Sequence, residues 1–214
     1  MGFLRRQGRR AAPYAAACAV LAAMSGCAPA AAPRSPFSAT GEVIAMGGGP
    51  AGATRACFTC HGLAGQGDGA FSPRLAALPA GYLQKQLEDY ASGRRHDPVM
   101  GPVAEALSAE DRAAVAAYYA GLPPGAKGGE RLPEPRGEAL FQRPRAGQAA
   151  CAACHGKDGG GVGLGNPPVA GQPAPYVHEQ LRRWRAGERR NDPLGVMAAA
   201  ARGLSDAQMR TLAE

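Results

Sequence analysis

Cys57-Phe58-Thr59-Cys60-His61 decides the fold, and Cys151-Ala152-Ala153-Cys154-His155 repeats its pattern 94 residues further along the chain. In both stretches, two cysteines three positions apart are followed at once by a histidine. This CxxCH pattern is the attachment signature of c-type haem, because the two thiols form thioethers with the porphyrin and the histidine ligates the iron. The sequence therefore predicts two covalently bound haem c groups. The predicted attachment points are Cys57, Cys60, Cys151 and Cys154, and the predicted histidine ligands are His61 and His155.

A CxxC pair can also belong to a zinc-binding knuckle or to a redox-active dithiol. The histidine directly after the second cysteine, present in both copies, argues against these alternatives. The two other cysteines, Cys18 and Cys27, lie in the N-terminal leader, so we expect no structural disulfide.

The composition is poor in large side chains. Aromatic residues make up 6% of the chain, which holds 31 glycines and 19 prolines. A haem in each half would supply the apolar volume that such a composition lacks.

The similarity between the two halves extends beyond the motifs and indicates an internal duplication. The segment that begins at Tyr82 matches the one that begins at Tyr176, and Leu107-Ser108 matches Leu204-Ser205. The predicted organisation is a first domain over residues 41–125, a linker over 126–135 and a second domain over 136–214.

Each unit is predicted to be helical. Tyr82, Leu83, Leu87 and Tyr90 place one apolar stripe on a helix that ends at Gly93, and the second unit repeats this pattern up to Gly187. Ser108-x-x-Asp111 and Ser205-x-x-Gln208 are typical of capping boxes that open a last helix. No alternating strand pattern is visible, so the predicted fold class is all-α.

The second unit is shorter at its C-terminal end. Glu214 aligns with Ala117 of the first unit, so residues 118–122 have no counterpart. We expect either a truncated sequence or a second core that is less completely sealed.

Residues 1–26 are predicted to be an export signal, because four arginines precede an apolar stretch that is too short to span a bilayer. Met24-Ser25-Gly26-Cys27 resembles a bacterial lipoprotein box, in which a lipidated Cys27 is the first mature residue and the Ala/Pro-rich residues 27–40 form a tether. The alternative is simple cleavage within Ala28–Ala32. Both alternatives predict a periplasmic protein, and the first adds a lipid anchor in the membrane.

Met100 and Met197 are the predicted ligands on the other side of each iron. Both lie seven residues before the Leu-Ser pair and shortly after an Asp-Pro pair, so they match within the repeat. A thioether opposite histidine fills the sixth position and raises the reduction potential, because soft sulfur favours ferrous iron. The alternative is that both are core methionines.

The other methionines and histidines considered as ligands have no counterpart of the same type in the other unit. Met46 aligns with Gln142, and Met209 aligns with Arg112. We interpret His96 and His178 as surface or loop residues, although bis-histidine coordination in one unit stays open.

Pro73 and Pro167 each follow a ligand histidine by twelve residues. A carbonyl group there can accept a hydrogen bond from the ring N–H that does not face the iron, which fixes the tautomer of the ligand. The alternative is that these prolines only form turns.

With these residues in place, the chain resembles the two-domain dihaem cytochromes c of the cytochrome c4 family from about Gly41 onwards. The resemblance rests on both CxxCH motifs, on Tyr-x-x-x-Gln-Leu at 82–87 and 176–181, and on segments similar to Gly-x-Arg-x-Asp-Pro that end in a methionine. It implies a tandem of two small class I cytochrome c-like domains, each wrapped round a covalent haem. It also implies haem propionates that approach each other across the domain interface.

The resemblance further implies a periplasmic one-electron carrier between respiratory partners, a membrane reductase and a terminal oxidase. A second interpretation is the cytochrome subunit of a dehydrogenase complex, and a third is a haem peroxidase. Two filled axial positions favour electron transfer over catalysis, because an enzyme acting at iron needs an open position. We therefore expect redox protein partners, no small-molecule substrate and no nucleic acid.

The charge is unevenly distributed. Residues 41–125 carry 6 basic and 8 acidic side chains, whereas residues 136–214 carry 11 and 7. We expect the second unit to dock an acidic partner, although a solvated helix face explains the same pattern. The candidate docking residues are Arg182, Arg183, Arg185, Arg189 and Arg190.

Overall fold

The computed structural model describes residues 2, 40–124, 135–145, 147–192 and 194–214. The predicted signal peptide with Cys27, nearly all of the tether and nearly all of the linker lie outside the described residues. The described residues from Thr40 onwards fall within one compact unit. In the described part of the chain, no helix is both long and apolar enough to cross a membrane.

The described chain is helical and contains no β-strand, apart from two isolated bridges, so the all-α prediction is confirmed. Among the described residues, five α-helices lie in the N-terminal lobe (residues 40–124) and five in the C-terminal lobe (residues 135–214). The N-terminal helices are α1 Gly41–Gly47, α2 Phe58–His61, α3 Ala80–Ala91, α4 Met100–Ala106 and α5 Ala109–Gly121. The C-terminal helices are α6 Pro135–Gln142, α7 Cys151–His155, α8 Ala174–Ala186, α9 Val196–Arg202 and α10 Asp206–Ala213.

The duplication in sequence is also a duplication in packing. In the N-terminal lobe, α3 contacts α4 and α5, and α1 contacts α5. In the C-terminal lobe, the equivalent helices make the same contacts: α8 packs on α9 and α10, and α6 packs on α10. The two lobes therefore have the same helix arrangement.

Local sequence signals determine where several helices begin and where they end. Ser108 and Ser205 each accept a hydrogen bond from the backbone N–H three residues later, and the side chain at that position returns a bond to the backbone of the serine. Both predicted capping boxes are therefore present. α8 ends at Gly187, whose φ of 70° is left-handed, and α3 ends with Ser92 as its cap, just before Gly93.

The larger of the two apolar cores lies in the N-terminal lobe. There, side chains from α1, α3 and α5 meet with residues of the connecting loops. The core is formed by Ile44, Ala45, Leu78, Leu83, Leu107, Val115, Ala116 and Tyr119. Among the described residues of the C-terminal lobe, the buried hydrophobic side chains are Trp184, Ala201, Leu204 and Met209.

The matched glycines Gly41 and Gly137 lie where the first helix of each lobe crosses the last. A Cβ atom on Gly41 would lie 2.1 Å from the carbonyl oxygen of Ala114 on α5. A Cβ atom on Gly137 would lie 2.3 Å from the carbonyl oxygen of Thr211 on α10. Neither backbone oxygen can rotate away, so the crossing requires glycine.

Gly41→Ala is therefore expected to destabilise the protein by about 1–3 kcal/mol, because the two helices must move apart. Gly47→Ala is the matched control, since it lies in the same helix and a Cβ atom there would have no neighbour within 4 Å. The control should leave stability unchanged or slightly raised. Denaturant unfolding followed by circular dichroism measures both variants, and equal midpoints would contradict the close crossing.

Candidate haem sites

Each CxxCH motif lies on a short helix: Cys57 is the N-terminal cap of α2, and α7 spans the whole second motif. On a helix, residues three and four positions apart share one face. The two cysteines and the histidine of each motif therefore point to the same side. The structure records Cys57, Cys60, Cys151 and Cys154 as free thiols, and burial raises the pKa of Cys57 and of Cys151.

The ring of each motif histidine is held by the carbonyl group of the predicted proline. The distance from Nδ1 of His61 to the carbonyl oxygen of Pro73 is 2.8 Å, and the distance from His155 to Pro167 is 2.9 Å. A carbonyl oxygen only accepts, so Nδ1 carries the proton and the lone pair lies on Nε2. Burial lowers the pKa of His61, although the bond to Pro73 opposes the shift.

The loop after each histidine repeats its backbone hydrogen bonds. The N–H groups of Gly67 and Gly161 donate to the carbonyl oxygens of His61 and His155, at 2.8 and 2.7 Å. These glycines have φ values of 83° and 84°, in the left-handed region that favours glycine. Sequence analysis did not assign them a role. A glycine six residues after both histidines is the signal that could have found them.

Met100 is the first residue of α4, and Met197 is the second residue of α9. Both side chains are half-buried. The backbone N–H of Met100 donates to Oδ1 of Asp97 at 3.0 Å, and that of Met197 donates to Oδ2 of Asp192 at 2.6 Å. The aspartate of each Asp-Pro pair therefore anchors the segment that carries the candidate ligand. Sequence analysis noted these aspartates only as markers of the repeat.

The other methionine and histidine candidates have different surroundings. Met209 is fully buried in the core of the C-terminal lobe, and His96 is exposed in a loop. His178 lies on a partly exposed helix surface and not in a loop, with 25% of its side chain exposed. It lies within α8, and its Nε2 is 3.1 Å from Oδ1 of Asp206 on α10, because this face of α8 packs against the last helix.

The described residues fit a covalent haem in each lobe. Haem c requires two thiols that form thioethers with the porphyrin and an imidazole nitrogen that ligates the iron, and each lobe brings these groups together. Large apolar side chains are exposed in the loops after the histidines and next to the methionines, where a porphyrin would cover them. They are Leu63, Phe71 and Val99 in one lobe and Val162, Leu164, Leu194 and Val196 in the other.

The described residues do not support zinc binding at the CxxC pairs. In the described ranges, no group of three or more histidine, cysteine, aspartate or glutamate side chains is arranged to hold a metal ion. Within those ranges, the CxxC pairs have no further ligands of the kind that a zinc knuckle needs.

Several of the candidate docking arginines already bind other groups of the protein. Arg189 is only 7% exposed and binds Gln86 of the other lobe at 3.0 Å, so its prediction as a docking residue is wrong. A side chain enclosed by the contact between the lobes cannot meet a partner.

Glu179 holds two more of these arginines, Arg182 and Arg183, with an N–O distance of 2.8 Å to each. The hydrogen bond from Arg182, together with that from Arg183, lowers the pKa of Glu179 to about 2 although burial opposes the shift. Arg183 also reaches Asp97 at 3.3 Å. Arg185 and Arg190 are exposed, and docking by these two stays a prediction.

Comparison with known proteins identifies the family. A family model for cytochrome c matches the chain twice, over residues 49–122 and 135–214. A thiosulfate dehydrogenase electron acceptor from Stutzerimonas stutzeri is 43% identical over 183 residues, which cover 83% of this chain and 85% of the relative. Cytochrome c4 from Thiocapsa roseopersicina is 37% identical over 172 residues, which cover 78% and 88%.

A solved structure of thiosulfate dehydrogenase from Marichromatium purpuratum, in its as-isolated form, is also similar. The match has a TM-score of 0.70 and 39% sequence identity. It covers 81% of this chain and 38% of that longer chain. The two matched domains indicate two covalently bound haem c groups with iron. This chain therefore belongs to the cytochrome c family, as a two-domain dihaem electron carrier similar to the cytochromes c4.

Proposed function

We propose that this chain accepts electrons from a thiosulfate dehydrogenase and passes them, one at a time, to a further redox protein. The similarity to the electron acceptor from Stutzerimonas stutzeri carries the proposal, because it extends over most of both chains at 43% identity. The similarity to the thiosulfate dehydrogenase structure from Marichromatium purpuratum supports it. Of the earlier interpretations, the partner of a dehydrogenase is therefore the one we favour.

Each residue predicted at the haem sites has a role in this proposal. The four motif cysteines would hold the two porphyrins, the two histidines and the two methionines would ligate the irons, and Pro73 and Pro167 would orient the histidines. When bound, each haem supplies an iron that changes between ferric and ferrous states.

The protein keeps these ligands in place by hydrogen bonds between its own groups. The proline carbonyl groups fix the imidazole rings, and Asp97 and Asp192 hold the backbone of the methionine segments. A site whose ligands are held before the electron arrives needs little rearrangement on reduction. With histidine and methionine both bound, each iron would have no open position for a substrate, so we propose no catalysis at the haems.

Stopped-flow mixing tests the proposed partner. The oxidised holoprotein, mixed with a thiosulfate dehydrogenase and thiosulfate, is expected to show the ferrous haem spectrum within the turnover time of the enzyme. Omitting thiosulfate or the enzyme should abolish reduction, and dithionite should still reduce both haems. Reduction no faster than that of an unrelated cytochrome c would contradict the proposal.

The same measurement tests the two exposed arginines. Arg185→Glu with Arg190→Glu is expected to slow reduction several-fold at low salt and to weaken its salt dependence, if these residues meet an acidic partner. Rates equal to those of the unaltered protein would remove the docking role.

Transfer from a membrane reductase to a terminal oxidase is the second candidate function, and the similarity to cytochrome c4 favours it. Oxidase-containing membranes should then oxidise the reduced protein without added dehydrogenase. We also propose export to the periplasm through residues 1–26, with lipidation at Cys27. The mass of the mature N-terminal peptide distinguishes lipidation from simple cleavage.

A further inference from the structure

Among the described residues, two side-chain polar atoms are buried and have no hydrogen-bond partner. They are the hydroxyl oxygen of Tyr119 on α5 and Nη1 of Arg145, which lies in the loop between α6 and α7. Buried polar groups in folded proteins almost always have a partner, because a donor that loses water without replacing it costs free energy. These two atoms therefore indicate acceptors that the described protein groups do not supply.

The core of the N-terminal lobe holds Tyr119 in one orientation. The residue is 2% exposed, and a Cβ atom on Gly65 would lie 2.7 Å from Cδ1 of its ring, so the ring touches the loop that follows His61. The backbone N–H of Ala77 donates to the carbonyl oxygen of Tyr119 at 3.0 Å. Ala77 has a φ of 58°, a left-handed conformation that a residue with a Cβ keeps only where its contacts enforce it. The hydroxyl group therefore cannot turn freely towards water.

The first attachment cysteine of the N-terminal lobe lies beside this hydroxyl group. Cys57 packs against the same apolar core that contains Tyr119. Burial raises the pKa of the Cys57 thiol, and interaction with the Tyr119 hydroxyl opposes that shift. Burial also raises the pKa of Tyr119, and Cys57 adds to the increase. The phenol therefore keeps its proton and is a hydrogen-bond donor.

Arg145 has a similar place in the C-terminal lobe. It lies in the loop that leads into α7, and its Nη2 donates to the carbonyl oxygen of Ala200 on α9 at 3.1 Å, three residues after Met197. Two backbone hydrogen bonds with Gln148, of 2.8 and 3.1 Å, hold this loop. Burial raises the pKa of the Cys151 thiol, and the positive charge of Arg145 is the largest opposing effect. The guanidinium therefore connects the cysteine motif to the helix of the candidate methionine ligand.

Both donors without a partner thus act on the first cysteine of a CxxCH motif, one in each lobe. In haem c, the sulfur of this cysteine is joined to the porphyrin as a thioether. A thioether sulfur has lone pairs that accept weak hydrogen bonds and carries no proton of its own, whereas a free thiol is itself a donor. Haem attachment therefore converts this cysteine into the acceptor that each buried donor lacks.

We propose that Tyr119 and Arg145 donate hydrogen bonds to the thioether edges of the two haems, each to the sulfur of the first cysteine in its own lobe. The two donors differ in chemistry, because the hydroxyl is neutral and the guanidinium is positively charged. The two haem sites of the repeat therefore have different electrostatic surroundings at this edge. The inference goes beyond the proposed function, since it does not depend on which protein supplies or removes the electrons.

Both contacts favour the ferrous haem. A donor withdraws electron density from the sulfur, and a positive charge stabilises the form that holds one more electron. Tyr119→Phe removes only the hydroxyl, so at a fixed electrode potential the ferrous-to-ferric ratio of one haem should fall about threefold. Arg145→Gln removes a charge, so the ratio of the other haem should fall about tenfold, which corresponds to about 59 mV for a one-electron couple.

Spectroelectrochemical titration of the holoprotein measures the two midpoint potentials. Each single variant should lower a different midpoint, and the double variant should lower both. Resonance Raman bands of the thioether C–S stretch, which respond to hydrogen bonding at sulfur, should shift in the same variants. A purely structural role of either side chain would change the unfolding midpoint but not these bands.

Neighbouring residues provide matched controls. Tyr118→Phe removes a hydroxyl from the ring that packs edge-on against Tyr119, with 5.1 Å between the centroids, and Arg143→Gln removes an exposed charge near Arg145. Both should leave the midpoints and the C–S bands unchanged. If Arg145→Gln fails to mature, Arg145→Lys keeps the charge but loses the second nitrogen of the planar group, so it should keep the midpoint and still shift a C–S band.

Three results would overturn the proposal. The first is that Tyr119→Phe and Arg145→Gln have the midpoints and C–S bands of their controls. The second is that both variants lower the same midpoint, because the donors would then not serve separate haems. The third is that Tyr119→Phe unfolds at a higher denaturant concentration with unchanged midpoints, which is the behaviour of a hydroxyl that has no acceptor in the holoprotein.

Discussion

Replacing both Cys57 and Cys60 with alanine is expected to reduce the covalently bound haem from two groups to one per chain. Thioether bonds are the only covalent links in this type of site, so histidine and methionine alone hold the haem reversibly. The N-terminal lobe should then lose much of its stability, because the apolar side chains of Leu63, Phe71 and Val99 have no other cover. Intact-mass spectrometry and the pyridine haemochrome spectrum measure the loss.

The matched pair, Cys151→Ala with Cys154→Ala, should remove the other haem and leave the first in place. The residual haem of each variant can then be titrated by itself, which assigns the two reduction potentials to their lobes. A full complement of covalent haem in either double variant would contradict the assignment of the attachment points.

Met100→Ala and Met197→Ala are each expected to lower one midpoint potential by on the order of 100 mV, a fraction of the roughly 0.8 V range that axial ligands span. Loss of the thioether removes the ligand that favours ferrous iron. It also opens a coordination position, so the altered haem should bind carbon monoxide or cyanide, which the unaltered protein should resist. Redox titration and ligand-binding spectra test both effects.

Met46→Ala is the matched control, because this half-buried methionine on α1 has no counterpart in the repeat. Its midpoints and ligand resistance should equal those of the unaltered protein. If the variants at Met100 and Met197 behave like this control, both are core methionines and another residue ligates the iron.

Local signals along the chain predicted most of the fold. Each CxxCH motif needs fixed spacing on one helical turn, each capping box closes a helix start over three residues, and these constraints can be recognised without knowing what packs nearby. The same reasoning led to Pro73 and Pro167, whose carbonyl oxygens lie 2.8 and 2.9 Å from Nδ1 of the motif histidines. The internal repeat also helped these predictions, because a residue type that both haem sites need occurs at the equivalent position of each lobe.

Side chains that act between the lobes could not be identified in this way. Arg189 and Arg190 are neighbours with the same chemistry, and only the packing of α8 against the N-terminal lobe buries the first and exposes the second. His178 likewise turns out to face Asp206, since the partner of a helix face depends on residues far away in the chain.

The sequence by itself thus predicts the number of haems, the helices and the chemistry of haem attachment. Each of these depends on residues within about one turn of helix. Which arginine is enclosed, and which glutamine it binds across the contact, depends on how two similar lobes pack together. Periodicity assigns a residue to a face of its own helix, but burial and charge compensation are properties of the folded pair of lobes.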